Sequence, residues 1–158
     1  MGQQGLRDAI AEFVAVIDND PGASEYNEQK LLVLLDRVAL AVSEHPLPFE
    51  WQDYEGGDGM DSNARRARVC VLFPDFGYYN VPEFVTKNIA NTAVTVGDAI
   101  DDIVDITAEL SAVLKVWKSE GERQAMRALA GAYKAHLGDH LRDLQRYLHA
   151  RFRESNCE

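Results

Sequence analysis

Cysteine is scarce: the chain has two, Cys70 and Cys157, in no metal-type spacing and with no evident basic neighbour to activate either thiol. That leaves no disulfide framework and no thiolate zinc motif, and it reads as a reduced, intracellular protein. Long apolar runs are missing too. No stretch approaches the ~18 residues of a membrane span, and MGQQGLRDAIAEF lacks the basic and apolar regions of a signal peptide. Leu6 stands where a myristoylation signal needs Ser or Thr. Cations are the minority charge, 16 Lys and Arg against 26 Asp and Glu, for a formal net charge of −10. Such a chain is repelled by a phosphate backbone and by anionic lipid, so nucleic acid and membrane are excluded as direct partners. G-x-S-x-G, a phosphate loop and a dinucleotide fingerprint are all absent. A soluble, cytoplasmic protein is expected.

What is present is helical periodicity. The 158 residues suit one domain, which at this size buries roughly 68–70% of its unfolded surface. Leu6, Ile10, Phe13, Val14 and Ile17 recur at helical spacing until DNDPG stops them. A second helix is expected from about Glu25 to Glu44, ended by Pro46 and Pro48. Residues 45–68 then lose all period and read as a long exposed loop, with a small turn around Phe49, Trp51 and Tyr54. His45 and His149 read as surface residues near helix ends. VCVLFPDFGYYNVPEFV (69–85) gathers aromatics around Pro74, Gly77 and Pro82. It predicts a short helix or turn and then an irregular aromatic plug, with a two-strand hairpin as the alternative. A pocket lined by Phe73, Phe76, Tyr78 and Tyr79 is a further option, although clustered aromatics are more often core.

The last third is the most regular. Thr95 and Asp98 have capping-box spacing ahead of a helix carrying Ile100, Ile103, Ile106, Leu110, Val113, Leu114 and Trp117. Ser119 and Glu122 form a second box, opening a helix that runs through Met126, Leu129, Tyr133, Leu137, Leu141, Leu144, Leu148 and Phe152. Two long helices so closely joined run antiparallel. Residues 153–158 are expected to be a disordered tail.

The first of these helices contains Asp101-Asp102-Ile103-Val104-Asp105, the DDxxD pattern with which isoprenoid synthases hold magnesium. The chain is too short for their helical shell and lacks their second metal motif. A helical pyrophosphohydrolase would need a glutamate cluster on the preceding helix, for which Glu25 and Glu28 are a poor substitute. What remains is an acidic stripe, Asp98, Asp102, Asp105 and Glu109, whose like charges repel at i, i+4 unless something offsets them. His136, His140 and Asp143 share one face of the partner helix. A hairpin turning near Ser119 sets His136 opposite Asp102 and His140 opposite Asp98. Asp98, Asp102, Asp105, His136, His140 and Asp143 are therefore the candidate metal ligands. Imidazole with carboxylate suits zinc, manganese or iron, whereas structural His–Asp pairing needs no cofactor.

VGDAIDDIVDITAEL, FPDFGYYNVPE and the H-x-x-x-H-x-x-D of His136, His140 and Asp143 together resemble an uncharacterised bacterial family, catalogued as domain of unknown function 5063. The match is best from about Val69 onward and departs at Leu137, where the family carries an aromatic residue. The resemblance implies a bacterial, cytoplasmic, all-helical protein and supplies no activity. The expectation is one all-α domain over residues 1–158, an up-and-down bundle of about four main helices with an irregular aromatic-rich middle. The functional expectation is a non-enzymatic interaction or regulatory module, with no cofactor and an acidic surface for a protein partner. Its alternative is a metal-binding protein or metal-dependent hydrolase built on the Asp/His cluster.

Overall fold

The computed structural model describes residues 3–19, 26–48 and 58–155, and it is a mainly helical bundle as expected. Helix α1 (Gln3–Asp18) buries Leu6, Ile10, Phe13 and Ile17 completely. Helix α2 (Glu28–Glu44) begins three residues later than expected. Asn27 caps it by accepting the Lys30 N–H, and Leu31, Leu34, Leu35 and Val38 form its buried face. His45 is buried rather than exposed, its Nδ1 2.6 Å from the Ala41 carbonyl in the last turn of α2. His149 is exposed, as expected.

The expected loop over 45–68 is the first correction. Helix α3 (Ser62–Leu72) occupies its last third, capped by Asp61 through the Asn63 N–H. The buried face of α3 is Arg65, Val69 and Leu72, an i, i+4, i+7 set whose first member is a cation. A charged residue at a core position hides the period on which helix recognition depends. Arg65 is 2% exposed. It donates from Nε and Nη2 to the two oxygens of Asp18, at 3.0 and 2.8 Å, and from Nη2 to Asp58. Arg68 adds a hydrogen bond to the Ile17 carbonyl. The end of α1 is thereby tied to α3 by fully desolvated charge. The turn expected around Phe49, Trp51 and Tyr54 lies outside the described residues.

In place of the irregular plug expected over 69–85 there is one strand of a hairpin, so the two-strand alternative is met in part, its second strand lying at 94–98. Strand β1 (Tyr78–Pro82) pairs antiparallel with β2 (Val94–Asp98), Tyr78 opposite Asp98 and Tyr79 opposite Gly97. Thr95 is thus in a strand, where its hydroxyl donates to the Val81 carbonyl at 3.3 Å, and it caps nothing. Asp98 is itself the N-cap of α4 (Ala99–Glu120), accepting the Ile100 and Asp101 N–H groups. The aromatics do not line one pocket. Phe73 and Phe76 stack at 4.8 Å in the packed interior, whereas Tyr78 is 73% exposed.

Helix α4 is the central element, packed against α1, α3, α5 (Glu122–Ala132) and α6 (Gly138–Glu154). Its Ile103, Ile106, Leu110, Val113 and Val116 are buried, each aliphatic side chain stabilising the fold by roughly 1.5–3 kcal/mol relative to exposure. The turn to α5 falls at Gly121, with φ 87°, and Ser119 lies inside α4, its hydroxyl on the Lys115 carbonyl. The Ser119–Glu122 capping box therefore does not form, because α4 runs on to the one residue that adopts positive φ without strain. A π-helical turn, Tyr133–Leu137, joins α5 to α6, and Leu137 is fully buried. Arg153 and Glu154, expected in a disordered tail, complete α6. No helix among the described residues is long and apolar enough to cross a membrane.

Removing Arg65 leaves Asp18 and Asp58 as buried anions without their cation. Arg65→Ala is expected to cost about 3–5 kcal/mol in urea denaturation. Arg37→Ala, which breaks the exposed pair with Glu12, is expected to cost about 0–1 kcal/mol.

Candidate metal centre

The acidic stripe of α4 runs along one edge of the bundle, buried at Asp102 and about half exposed at Asp105. Asp102 is 4% exposed. It accepts hydrogen bonds from two directions: the Tyr79 hydroxyl of β1 on Oδ2, and His140 Nδ1 of α6 on Oδ1 at 2.6 Å. Glu109, two turns along α4, takes His136 Nδ1 at 2.8 Å on Oε1. Its Oε2 is buried with no hydrogen-bond partner among the described residues.

Each imidazole is thus held by its Nδ1 edge, which leaves Nε2 to point away from its carboxylate. The two Nε2 atoms stand 3.0 Å apart, with the rings edge to face at 4.2 Å between centroids. Asp105 Oδ2 lies 3.5 Å from His140 Nε2. Among the described residues, Asp105, His136 and His140 are the group whose ligand atoms all fall within 4.8 Å of one another. His140 is largely buried, whereas Asp105 and His136 are about half exposed, so the cluster opens to solvent on one side.

Of the six candidate ligands, three converge. Asp102 lies behind them, orienting His140. Asp98 is spent elsewhere, on the cap and on Arg66 Nη2 at 2.8 Å, and Asp101 pairs with the same guanidinium. Asp143, partly buried on α6, falls outside the converging group. The expected pairing was one turn out for His140, which meets Asp102 rather than Asp98, and two turns out for His136, which meets Glu109 rather than Asp102. Placing the turn at Gly121 instead of Ser119 accounts for the first shift, and the π turn that carries His136 re-aims the second. Glu109 was legible as part of the stripe. Tyr79 was legible only as an aromatic, since nothing local to 78–82 announces a partner in α4.

The π turn depends on Gly138. Its N–H donates to the Tyr133 carbonyl five residues back, and a Cβ at 138 would stand 2.6 Å from that oxygen.

Burial and charge shift the titrations in one direction. Asp102, accepting the Nδ1 proton, holds the His140 imidazolium above its usual 6.5 against the opposing effect of burial. Burial raises Asp105 and Glu109 above the ordinary carboxyl range, with the histidines opposing, and burial with the nearby Asp102 raises Asp143. Burial, then the bond to Asp102, pushes the Tyr79 phenol far up, so it stays a neutral donor.

No protein-family model matches the chain and no curated protein matches it. Among solved structures, the crystal structure of protein BF1032 from Bacteroides fragilis, a Northeast Structural Genomics Consortium target, is similar with a TM-score of 0.63. The two share 16% sequence identity over 93% of this chain and 89% of that one. At that identity the likeness shows the fold alone.

Two outcomes follow. Because the folded pKa of His140 lies above its unfolded value of about 6.5, its contribution to stability is complete below that pH and is lost as pH rises through the folded value. In metal-free protein an NMR titration should place the His140 midpoint above 6.5, and Asp102→Asn should lower it. Gly138→Ala should displace the π turn at a cost of about 1–3 kcal/mol in thermal denaturation and shift the ring resonances of His136.

Proposed function

We propose that this chain is a metal-binding protein whose divalent transition-metal ion is held by His136 and His140 through Nε2 and by the Asp105 carboxylate. The observation that carries the reading is the pair of Nε2 atoms 3.0 Å apart, each on a ring whose Nδ1 is anchored to a carboxylate. An imidazole donating Nδ1–H to a carboxylate is fixed in the tautomer whose Nε2 lone pair faces outward, as metal-ligating histidines are. Two such lone pairs in contact repel. A proton or a cation between them removes the repulsion, and Asp105 beside them favours positive charge there.

Two histidines and one carboxylate are fewer protein donors than a closed structural zinc site supplies, so a bound ion would keep positions free for water or substrate, and imidazole with carboxylate suits iron, manganese, cobalt or zinc. The orphaned Oε2 of Glu109 gives the cluster spare acceptor capacity.

The interaction-module reading receives less support from this face. Of the acids it would present, Asp98 and Asp101 pair with Arg66, Asp102 is buried, and Asp105 and Glu109 turn toward the histidines. A cytoplasmic setting, and membership of the bacterial family that the sequence resembles, stay part of the proposal.

Elemental analysis of the purified protein should find near-stoichiometric first-row transition metal, and His136→Ala/His140→Ala should abolish it. If the native protein retains none, and added zinc, manganese, iron(II) or cobalt produces no thermal shift, the reading is wrong.

A further inference from the structure

The hairpin reaches the proposed metal site through one side chain, and its strands are built around that reach. Tyr79 of β1 stands directly opposite Gly97 of β2. Directly opposed residues of an antiparallel pair carry their Cβ atoms only about 4.5–5.5 Å apart on one face of the sheet. At Gly97 there is no Cβ, and the ring of Tyr79 lies across the vacant position. A Cβ built at 97 would be 2.5 Å from Tyr79 Cζ and 2.8 Å from both Cε atoms. An aromatic laid over a cross-strand glycine is a recognised way of pinning a two-stranded register. Here it also aims a hydroxyl. The Tyr147 ring brackets Tyr79 from the side at 5.1 Å between centroids, and the Gly77 N–H fixes Tyr147 by donating to its hydroxyl at 3.0 Å. Held between these two, the Tyr79 hydroxyl donates to Asp102 Oδ2, the oxygen that His140 does not use.

Resting on the metal reading above, we infer that Gly97 and Tyr79 are positioning residues for the metal site. The missing Cβ at 97 lets the phenol fix the Asp102 carboxylate, and that carboxylate fixes the ring plane and tautomer of His140. Neither residue touches the ion. Asp102 sits on a helix with a rotatable carboxylate, and His140 alone restrains one of its oxygens. The phenol restrains the other, so the carboxylate plane is set from both sides and the Nε2 direction is set with it. Partners one step behind metal ligands contribute in this way, and their loss typically weakens metal binding by roughly 10–100-fold.

The full-length protein is titrated with cobalt(II), read by its visible absorption, and the His140 tautomer is recorded in metal-free protein by 15N NMR at a pH above the His140 midpoint, where the ring is neutral. Tyr79→Phe keeps the ring and removes only the hydroxyl. It should weaken cobalt binding by roughly 10–100-fold. Gly97→Ala should cause a comparable loss by pushing the ring off Asp102, but should add nothing in a Tyr79→Ala background, where no ring meets the new methyl. Both single variants should also lose the preference of His140 for the Nδ1-protonated form. A merely structural hairpin would not move that signal. Unchanged cobalt affinity in either single variant, or a further loss from Gly97→Ala in the Tyr79→Ala background, overturns the inference. If the native protein takes up no cobalt, the proposed function falls. Whether Gly97 and Tyr79 position His140 through Asp102 is then decided by the tautomer alone: a preference lost in both variants supports that positioning, and one retained in either overturns it.

Discussion

A buried carboxylate near the start of the central helix constrains much of this fold. Asp102 lies on α4, against which α1, α3, α5 and α6 pack, and it is almost completely shielded from water. A buried anion is tolerated only when its oxygens are satisfied, since desolvating one costs several kcal/mol after relaxation. The two partners come from elements far apart in sequence, Tyr79 on the hairpin and His140 on α6. Satisfying Asp102 therefore fixes where the hairpin docks and how α6 is rotated. The same two bonds leave His140 with a single outward nitrogen. A requirement of stability and the orientation of the His140 ring arise from one interaction.

The wider electrostatics follow the same logic. A chain with a net charge of −10 would be expected to carry its acids on the outside, yet those around α4 are largely engaged. Arg66 takes Asp98 and Asp101, and Arg65 takes Asp18 and Asp58 inside the protein. The two arginines are adjacent on α3 and point to different sides of it, one into the core and one along the start of α4. This short helix neutralises four carboxylates. What it does not reach is the stretch from Asp102 to Glu109, and there the counter-groups are imidazoles, which are cationic only when protonated. The part of the stripe without a permanent cation is the part best suited to recruit one.

Legibility in the sequence tracked how local each determinant is. Helices α1, α2 and α4 were readable because their apolar positions keep a helical period and packing agrees with it. Helix α3 was not, because Arg65 takes a core position and is satisfied only by residues in α1 and by Asp58. The second strand was misread because Thr95 and Asp98 have capping-box spacing, whereas the cap is Asp98 alone and Thr95 belongs to a pairing with residues fourteen positions earlier. The Asp/His cluster was half visible. Spacing showed that the acids share a face and that the histidines share another. Phase could not be read, since it turns on the hairpin ending at Gly121 and on a π turn whose cause is the absent Cβ of Gly138. Tyr79 and Glu109 enter the cluster only once that phase is set.

The short approach of the two Nε2 atoms admits either a proton or a metal ion between them, and the surroundings weigh on both. A shared proton makes one ring an imidazolium, and Asp102, Asp105 and Glu109 all favour that charge at His140. The same three carboxylates favour a divalent ion more strongly, because its charge is twice as large and the attraction scales with charge. Uptake of the proposed ion would expel protons, so its affinity would fall as pH drops through the range in which His140 becomes protonated. Competition between proton and metal is a property of the cluster rather than of either histidine. It also bears on the hairpin, since coupling between two parts of a protein is reciprocal in free energy. If the Tyr79 hydroxyl helps to hold a metal-competent His140, an ion on His140 helps to hold the hairpin, whose outer side exposes Tyr78, Val94 and Val96. The proposed metal site and that apolar surface are then two ends of one connection running through Asp102.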